Sequence, residues 1–366
     1  MHFALSADQL LLQQTVRDLF TEKADRDELR AYVDARAPHS PDLWRLLTAE
    51  LGLVGIAVPE RFGGAGGSLG DLTVVLEESG RALLCAPFFA TAVLAVTAVR
   101  QSRDDEAQNR YLPGLISGTS IGTLAHVDVP GAQTEAVEVS GGWSLTGAKQ
   151  HVIDGSVADL LIVSATTKAG PALFAVQDDD SHVTRSAAIS LDPTRRLATL
   201  RFDGVAATLL GTVENGRDAL DRTLQVAQVC LAAEQVGGAQ RCLDLTVRHT
   251  LDRRLHGRPL AMHQAVKHRC ADMYVGIELA RAAGWYAAWA VDEDTADKAT
   301  AIASAAAVAS DAFYRCATGY MQLSGGIGYT WEHDAHLYLE RAVSSRAMFA
   351  SPEELHERIA DAALGM

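Results

Sequence analysis

The sequence predicts a multidomain α+β protein: an N-terminal helical domain, a central β domain and a C-terminal four-helix bundle, in that order. Three observations predict it. Apolar residues recur at helical spacing through the first third of the chain, as in Leu10, Leu11, Val16, Leu19 and Phe20. From about Ile121 to Val213 the apolar runs shorten, become β-rich and are divided by Gly, Asp and Pro. From Asn215 onward long Ala-rich amphipathic stretches return. The changes of period set boundaries at 1–120, 121–214 and 215–366.

In the first domain, Ser6 is placed to cap a helix over Ala7–Glu22. Helical spacing continues over Leu43–Leu51 and Leu69–Leu84, and the glycines and Pro59 of Gly52–Gly67 break it into a loop. In the second, Glu135–Ser140 and Trp143–Thr146 form a hairpin across Gly141-Gly142. Asp159–Ala165, Ala172–Gln177 and Leu197–Phe202 are further strands, enough for a barrel-like or two-sheet domain. In the third, helices run over Asn215–Arg253, Gln264–Val291, Asp294–Leu323 and the tail from Ala335.

The 366 residues, 48% hydrophobic and 21% charged, suffice for a sizeable core and do not describe a disordered chain. A formal charge of −14 disfavours nucleic-acid binding, yet leaves room for a local basic pocket. No apolar run is long enough to span a bilayer, and the first twenty residues lack the basic start and cleavage site of a signal peptide. Five scattered cysteines make neither a disulfide framework nor a zinc pattern, so a reducing cytoplasm is expected and no metal site is assigned. The Glu332, His333, Asp334 and His336 cluster reads as acidic residues at a helix start.

Four segments together carry a resemblance: GLVGIAVPERFGGAGG with LEESGRAL, LTGAKQHVIDGSVADLLIVSA, AQRCLDLTVRHTLDRRLHGRPLAMHQAVKHRCADM, and MQLSGGIGYTWEHDAHLYLERA. In this order and spacing they resemble the acyl-CoA dehydrogenases over nearly the whole chain. TWEHDAHLYLERA is similar to the bacterial members of steroid side-chain and ring catabolism. The resemblance implies FAD, an acyl-CoA or acyl-carrier thioester substrate, an oligomer, and an electron-transfer flavoprotein as acceptor. It places Arg253, His256 and Gln264 on the FAD of a neighbouring subunit, with His256 where the family usually has Phe. It places Gln322, Gly325 and Gly326 at the adenosine half of that same FAD. The chemistry suits this, because a guanidinium fork matches phosphate oxygens and glycines let a ligand approach the backbone. A solvated basic helix end is the other reading of Arg253, Arg254 and Arg258.

The same resemblance exposes departures. Val127 stands at the family's flavin-ring Thr, and a Gly-Ser-Asp run is missing from Leu124–Ala136. His151-Val152-Ile153 stands where Trp-Ile-Thr lies beside the flavin, and Ile153 has no hydroxyl to offer it. The proton α to the thioester carbonyl must be taken by a carboxylate. Phe349 or Ala350 falls at the usual Glu position, and Ala227 or Gln228 at the alternative one on the long helix. Glu234, seven residues past Ala227 on the same helical face, is the remaining candidate base; its other reading is a structural carboxylate paired with an Arg across the bundle. Three functions follow. The chain is a homo-oligomeric FAD-dependent acyl-CoA dehydrogenase; or it completes the FAD site of a heterotetramer with a second dehydrogenase-like chain; or it is a flavin-free relative.

Overall fold

The structure, a computed structural model, describes residues 4–35, 39–177 and 182–365. Helix α1 (Ala7–Lys23) begins at Ser6, whose hydroxyl accepts from the Gln9 amide while the Gln9 side chain accepts from the Ser6 N–H. Helices α2 (Arg26–Ala35), α3 (Pro41–Arg45) and α4 (Leu69–Ala82) follow. Gly52–Gly67 contains only short 3₁₀ turns at Leu53–Gly55 and Glu60–Phe62. Helix α4 stops two residues before the expected Leu84 because Leu83 adopts a left-handed conformation, φ 50°. A wide-turned helical segment, Phe89–Ala95, runs into α5 (Val96–Gln101), and α6 (Asp105–Ser117) completes the helical layer.

The described strands of the central domain are β1 (Gly122–Ala125), β2 (Val127–Asp128), β3 (Glu135–Val139), β4 (Gly142–Ile153), β5 (Leu160–Thr167), β6 (Gly170–Gln177), β7 (Val183–Ala187) and β8 (Leu197–Leu210). The expected hairpin is β3–β4, but with Val139 opposite Gly142 its two-residue turn is Ser140-Gly141, one residue earlier than expected, and Gly142 opens β4. Strand β8 extends well beyond Phe202 because it pairs with both β4 and β6. Strands β4, β3, β5, β6 and β8 thereby close on one another as a barrel.

Helix α7 (Gly216–Asp252) spans 37 residues, about 55 Å at 1.5 Å per residue. A ribbon, β9 (Arg254–Leu255) and β10 (Arg258–Pro259), leads to α8 (Gln264–Asp292), α9 (Lys298–Ser324), α10 (Ala335–Ser345) and α11 (Pro352–Leu364). Helix α9 packs on α7, α8, α10 and α11, giving the C-terminal bundle, and α4 of the first domain packs on α7. That last contact is backbone on backbone. A Cβ added at Gly237 would stand 1.7 Å from the Glu77 carbonyl oxygen, and one at Gly80 would stand 1.8 Å from that of Glu234. The two glycines therefore fix where the middle of α7 lies against the first domain. No helix among the described residues is long and apolar enough to cross a membrane.

Candidate functional site

Two regions hold the residues singled out by sequence. The inner one is a crevice where α4, the Phe89–Ala95 segment, α7, α10 and the β domain meet. Glu234 lies there, 4% exposed. Arg195 Nη2 donates to both of its carboxylate oxygens at 2.6 Å, and Arg341 Nη1 donates to Oε1 at 2.9 Å. Arg341, itself 2% exposed, also bonds Asp192 Oδ2 at 2.7 Å and Thr194 Oγ1 at 2.6 Å. Two buried cations thus neutralise two buried anions, the condition under which charges are tolerated in an interior.

Glu234, expected as a base for the substrate proton or as a paired structural carboxylate, is therefore found paired. An isolated acid in an apolar helix would gain basicity from burial. Here both carboxylate oxygens are already engaged by guanidiniums, Oε1 by two and Oε2 by one, which holds the charged form and works against the rise in basicity that burial alone would bring. Of the two readings of Glu234, the geometry supports the paired one. Arg195 and Arg341 were not picked out from sequence. The only signal for them was Glu234 itself, an acid in an Ala/Val run that required a cation from elsewhere in the fold.

The rest of the crevice is filled by the protein's own side chains. Phe349, which with Ala350 was expected near the family's base position, stacks on Phe89 at 6.1 Å between ring centroids and on His126 at 6.1 Å. Its φ of 62° is left-handed, a strained conformation for an aromatic residue. Gln228 Nε2 donates to its carbonyl at 3.4 Å, and the Arg195 guanidinium lies 4.9 Å over the Phe89 ring. Ala227 is wholly buried. What remains is a cavity of about 20 Å³ bordered by Ile153 and Glu234, with Tyr32, Asp154, Thr194 and Arg195 among its walls. That is room for roughly one water molecule.

The positions expected beside a flavin ring fare differently from one another. Ile153 is 3% exposed, and its carbonyl accepts the Thr123 hydroxyl at 2.6 Å. Val127 pairs with Gln150 across β2 and β4. His151 stands exposed at a register shift of β4, with φ 56°. Val127 and Ile153 carry no hydrogen-bonding side chain for a flavin ring's polar edge, and His151 alone offers an exposed imidazole. Titratable groups nearby are shifted by burial. The Asp154 carboxyl is pushed up to about 7, against the pull of Arg195, Arg196 and Arg341, and the His126 imidazole is pushed down to about 4. The Lys149 ammonium, also lowered by burial, is held at 2.7 Å by Asp128.

The outer region is its opposite. Arg253, Arg254, His256, Arg258, Gln264, Gln322, Gly325 and Gly326 are all exposed. His256 and Gly257, with φ 51° and 81°, make the two-residue turn of the β9–β10 ribbon, which carries Arg254 and Arg258. Gly319 of α9 lies against Arg269 and Met273 of α8, and Gly276 lies against Ala312. The two helices therefore run antiparallel, which brings Gln264 and Gln322 to the same end of the pair. Between the helices, from that end, runs a groove of about 470 Å³ bordered by His268, Arg269, Asp272, Tyr314 and Thr318. Arg253 has no carboxylate partner among the described residues, and a Cβ at Gly325 or Gly326 would meet nothing within 4 Å. Free guanidinium and open backbone fit the phosphate and adenosine of a dinucleotide brought by another chain.

The family description "Acyl-CoA dehydrogenase, N-terminal domain" matches residues 6–119, and "Acyl-CoA dehydrogenase, C-terminal domain" matches residues 214–364. The chain belongs to the acyl-CoA dehydrogenase family. Within it, the chain is 34% identical over 356 residues to acyl-CoA dehydrogenase IpdE2 of Mycolicibacterium smegmatis, covering 97% of this chain and 98% of that one. IpdE2 of Mycobacterium tuberculosis is 32% identical, with 96% of each chain covered. Among solved structures, the Tcur3481-Tcur3483 steroid dehydrogenase variant superposes with a TM-score of 0.87 at 33% identity over 98% of both chains. The ChsE4-ChsE5 complex of Mycobacterium tuberculosis superposes with a TM-score of 0.92 at 26% identity over 100% of both chains. These acyl-CoA dehydrogenase relatives are oxidoreductases, and the family's helical, β and helical order is the one found here.

Proposed function

We propose that this chain is the FAD-site-completing subunit of a heteromeric acyl-CoA dehydrogenase, with a second dehydrogenase-like chain supplying the flavin-ring contacts and the base. One observation carries the reading. The crevice that would receive flavin ring and thioester is occupied by Phe349, Phe89 and the Arg195–Glu234–Arg341–Asp192 network, while the residues facing a neighbour's cofactor stand exposed. The two-chain names of the Tcur3481-Tcur3483 and ChsE4-ChsE5 neighbours support it. When bound, FAD supplies the acceptor for the hydride leaving the substrate's β carbon. This chain's part is to bind and orient. Arg253 and His256 would hold the pyrophosphate side, and Gln264, Gln322 and the Gly325-Gly326 backbone would hold the adenosine half. The proposed substrate is an acyl-CoA of steroid-derived type, with an electron-transfer flavoprotein receiving the electrons.

Purification of the chain alone, and together with the dehydrogenase-like chain it captures, tests this. The expected result is a colourless protein alone and a yellow complex whose flavin band bleaches on adding an acyl-CoA. A chain that is yellow by itself and bleaches with acyl-CoA would instead support the homo-oligomeric dehydrogenase. Absence of flavin in both preparations would support the flavin-free reading.

A further inference from the structure

The loop after α9, residues 325–334, carries the two glycines assigned above to the neighbour's FAD. Its first half, Gly325–Tyr329, is a 3₁₀ turn running straight off α9, with Gly328 packed against Met321 and Ser324. Beyond it, Thr330 N–H donates to Ile327 and His333 N–H to Thr330, while Ile327, Tyr329 and Trp331 point into solvent at 53%, 68% and 55% exposure. The far half is tied down by a helix from the other end of the chain. Arg26 Nε of α2 donates to Asp334 Oδ2 at 2.7 Å, and its Nη2 donates to the Glu332 carbonyl. One turn on, Arg30 reaches Asp334 Oδ1 through Nε at 2.9 Å and Nη2 at 2.6 Å, and its guanidinium lies 5.4 Å over the Trp331 ring. His336 backs the same ring at 4.8 Å. Asp334 stands at the start of α10, but its side chain makes no capping bond; both oxygens serve the arginines.

The pair is partly buried, with side-chain exposures of 13% for Arg30 and 18% for Asp334. Screening is weaker there than at a surface ion pair, and two charged donors of Arg30 converge on the one oxygen Oδ1 while Arg26 holds Oδ2. Nothing in the clamp touches the ligand surface itself. Its effect passes through the loop, by holding the Gly325-Gly326 backbone in one place before the cofactor arrives. A preorganised loop does not lose that freedom on binding.

We infer that Arg30 and Asp334 form an interdomain clamp that positions the Gly325-Gly326 loop to receive a dinucleotide held by a neighbouring subunit. The inference rests on the proposed reading of the outer region, and both residues are positioning residues. The test is FAD retention by the full chain in its assembled, flavin-stripped complex, read by quenching of FAD fluorescence on titration. Arg30→Met and Asp334→Asn should each weaken FAD binding by roughly tenfold, the order expected for losing one charged hydrogen bond. Assembly and thermal midpoint should stay near wild type, and the double variant should be no worse than either single one. Arg30→Lys, which keeps the charge but loses the fork, should recover part of the loss. Unchanged FAD affinity in both single variants overturns the clamp. So does a loss of affinity that only parallels a loss of folded protein. Arg253→Ala separates this from the underlying reading. If it loses FAD while the clamp variants do not, the clamp alone fails. If Arg253→Ala and wild type bind FAD equally, or neither binds it, the outer site fails and the clamp with it.

Discussion

The inner crevice and the outer helix end contain the same kinds of side chain in opposite states. In the crevice, Arg195 and Arg341 are each less than a tenth exposed and share Glu234, with Asp192 completing the charge balance. At the helix end, Arg253, Arg254 and Arg258 stand in solvent on a chain of net charge −14, with no acid bonded to them among the described residues. A buried guanidinium must be matched by the protein, and one matched that way has nothing left for a ligand. An exposed one remains hydrated at little cost and keeps its fork available. The contrast teaches that residue type alone does not mark a site; what marks it is whether the fold has already used the side chain's charge.

Breaking the inner network should have the largest effect. Arg341→Met leaves Glu234 and Asp192 short of a cation and should cost about 3–5 kcal/mol of stability, measured by urea unfolding. Glu234→Gln keeps the shape and one acceptor, and should cost less, about 2–3 kcal/mol. If Glu234→Gln is as stable as wild type and yet abolishes turnover in the assembled complex, the carboxylate is chemical after all and the inner region has been misjudged.

A pH series sharpens the same region. Asp154 titrates near 7 when folded and near 4 when unfolded, so the native state holds the extra proton between those values. Its contribution to stability is therefore fullest below pH 4 and is lost as pH rises toward 7, with a slope of about 1.4 kcal/mol for each pH step of one between them. His126, lowered to about 4, has the opposite sign: its contribution is present above pH 6.5 and is lost as pH falls toward 4. The wild-type stability curve minus that of Asp154→Asn should slope downward from pH 4 to 7. A flat difference would mean that the carboxyl is not protonated in the folded state.

Phe349→Ala should cost only about 1–2 kcal/mol, because the ring is partly exposed and the left-handed backbone is easier for a smaller side chain. Its use is to ask whether emptying the crevice lets the chain hold flavin alone; the expected result is that it does not, since Ile153 still offers no hydroxyl. Arg253→Ala should have the smallest effect on folding, with an unchanged melting temperature. FAD retention in the assembled complex should nevertheless fall roughly tenfold to a hundredfold. Equal retention would break the comparison from its outer side.

Much of the architecture was legible in the chain. The Ser6 cap and the hairpin at Gly141 are consequences of local rules, a hydroxyl beside bare amides and a glycine at a tight turn, whereas the long helix from residue 216 is buried on every side from Val226 to Ala239 and shows no single apolar stripe. Gln264 and Gln322 come to matching helix ends only through the antiparallel packing of α8 and α9. Less legible were the helical segment from Phe89 and the two-residue strand β2, which are too short or too uniformly apolar to declare a period.

The sequence by itself determined the order of the domains and the helix ends that carry Arg253 and Gln264. The tertiary structure alone decided the fate of Glu234. Its partners lie 39 and 107 residues away, one just before β8 and one on α10, and they reach it only because both segments pack against α7. The Arg30–Asp334 clamp spans 304 residues in the same way. Periodicity and capping report on neighbours in the chain; the charge state and reach of an ionisable side chain depend on what is packed against it in space, which no local pattern records.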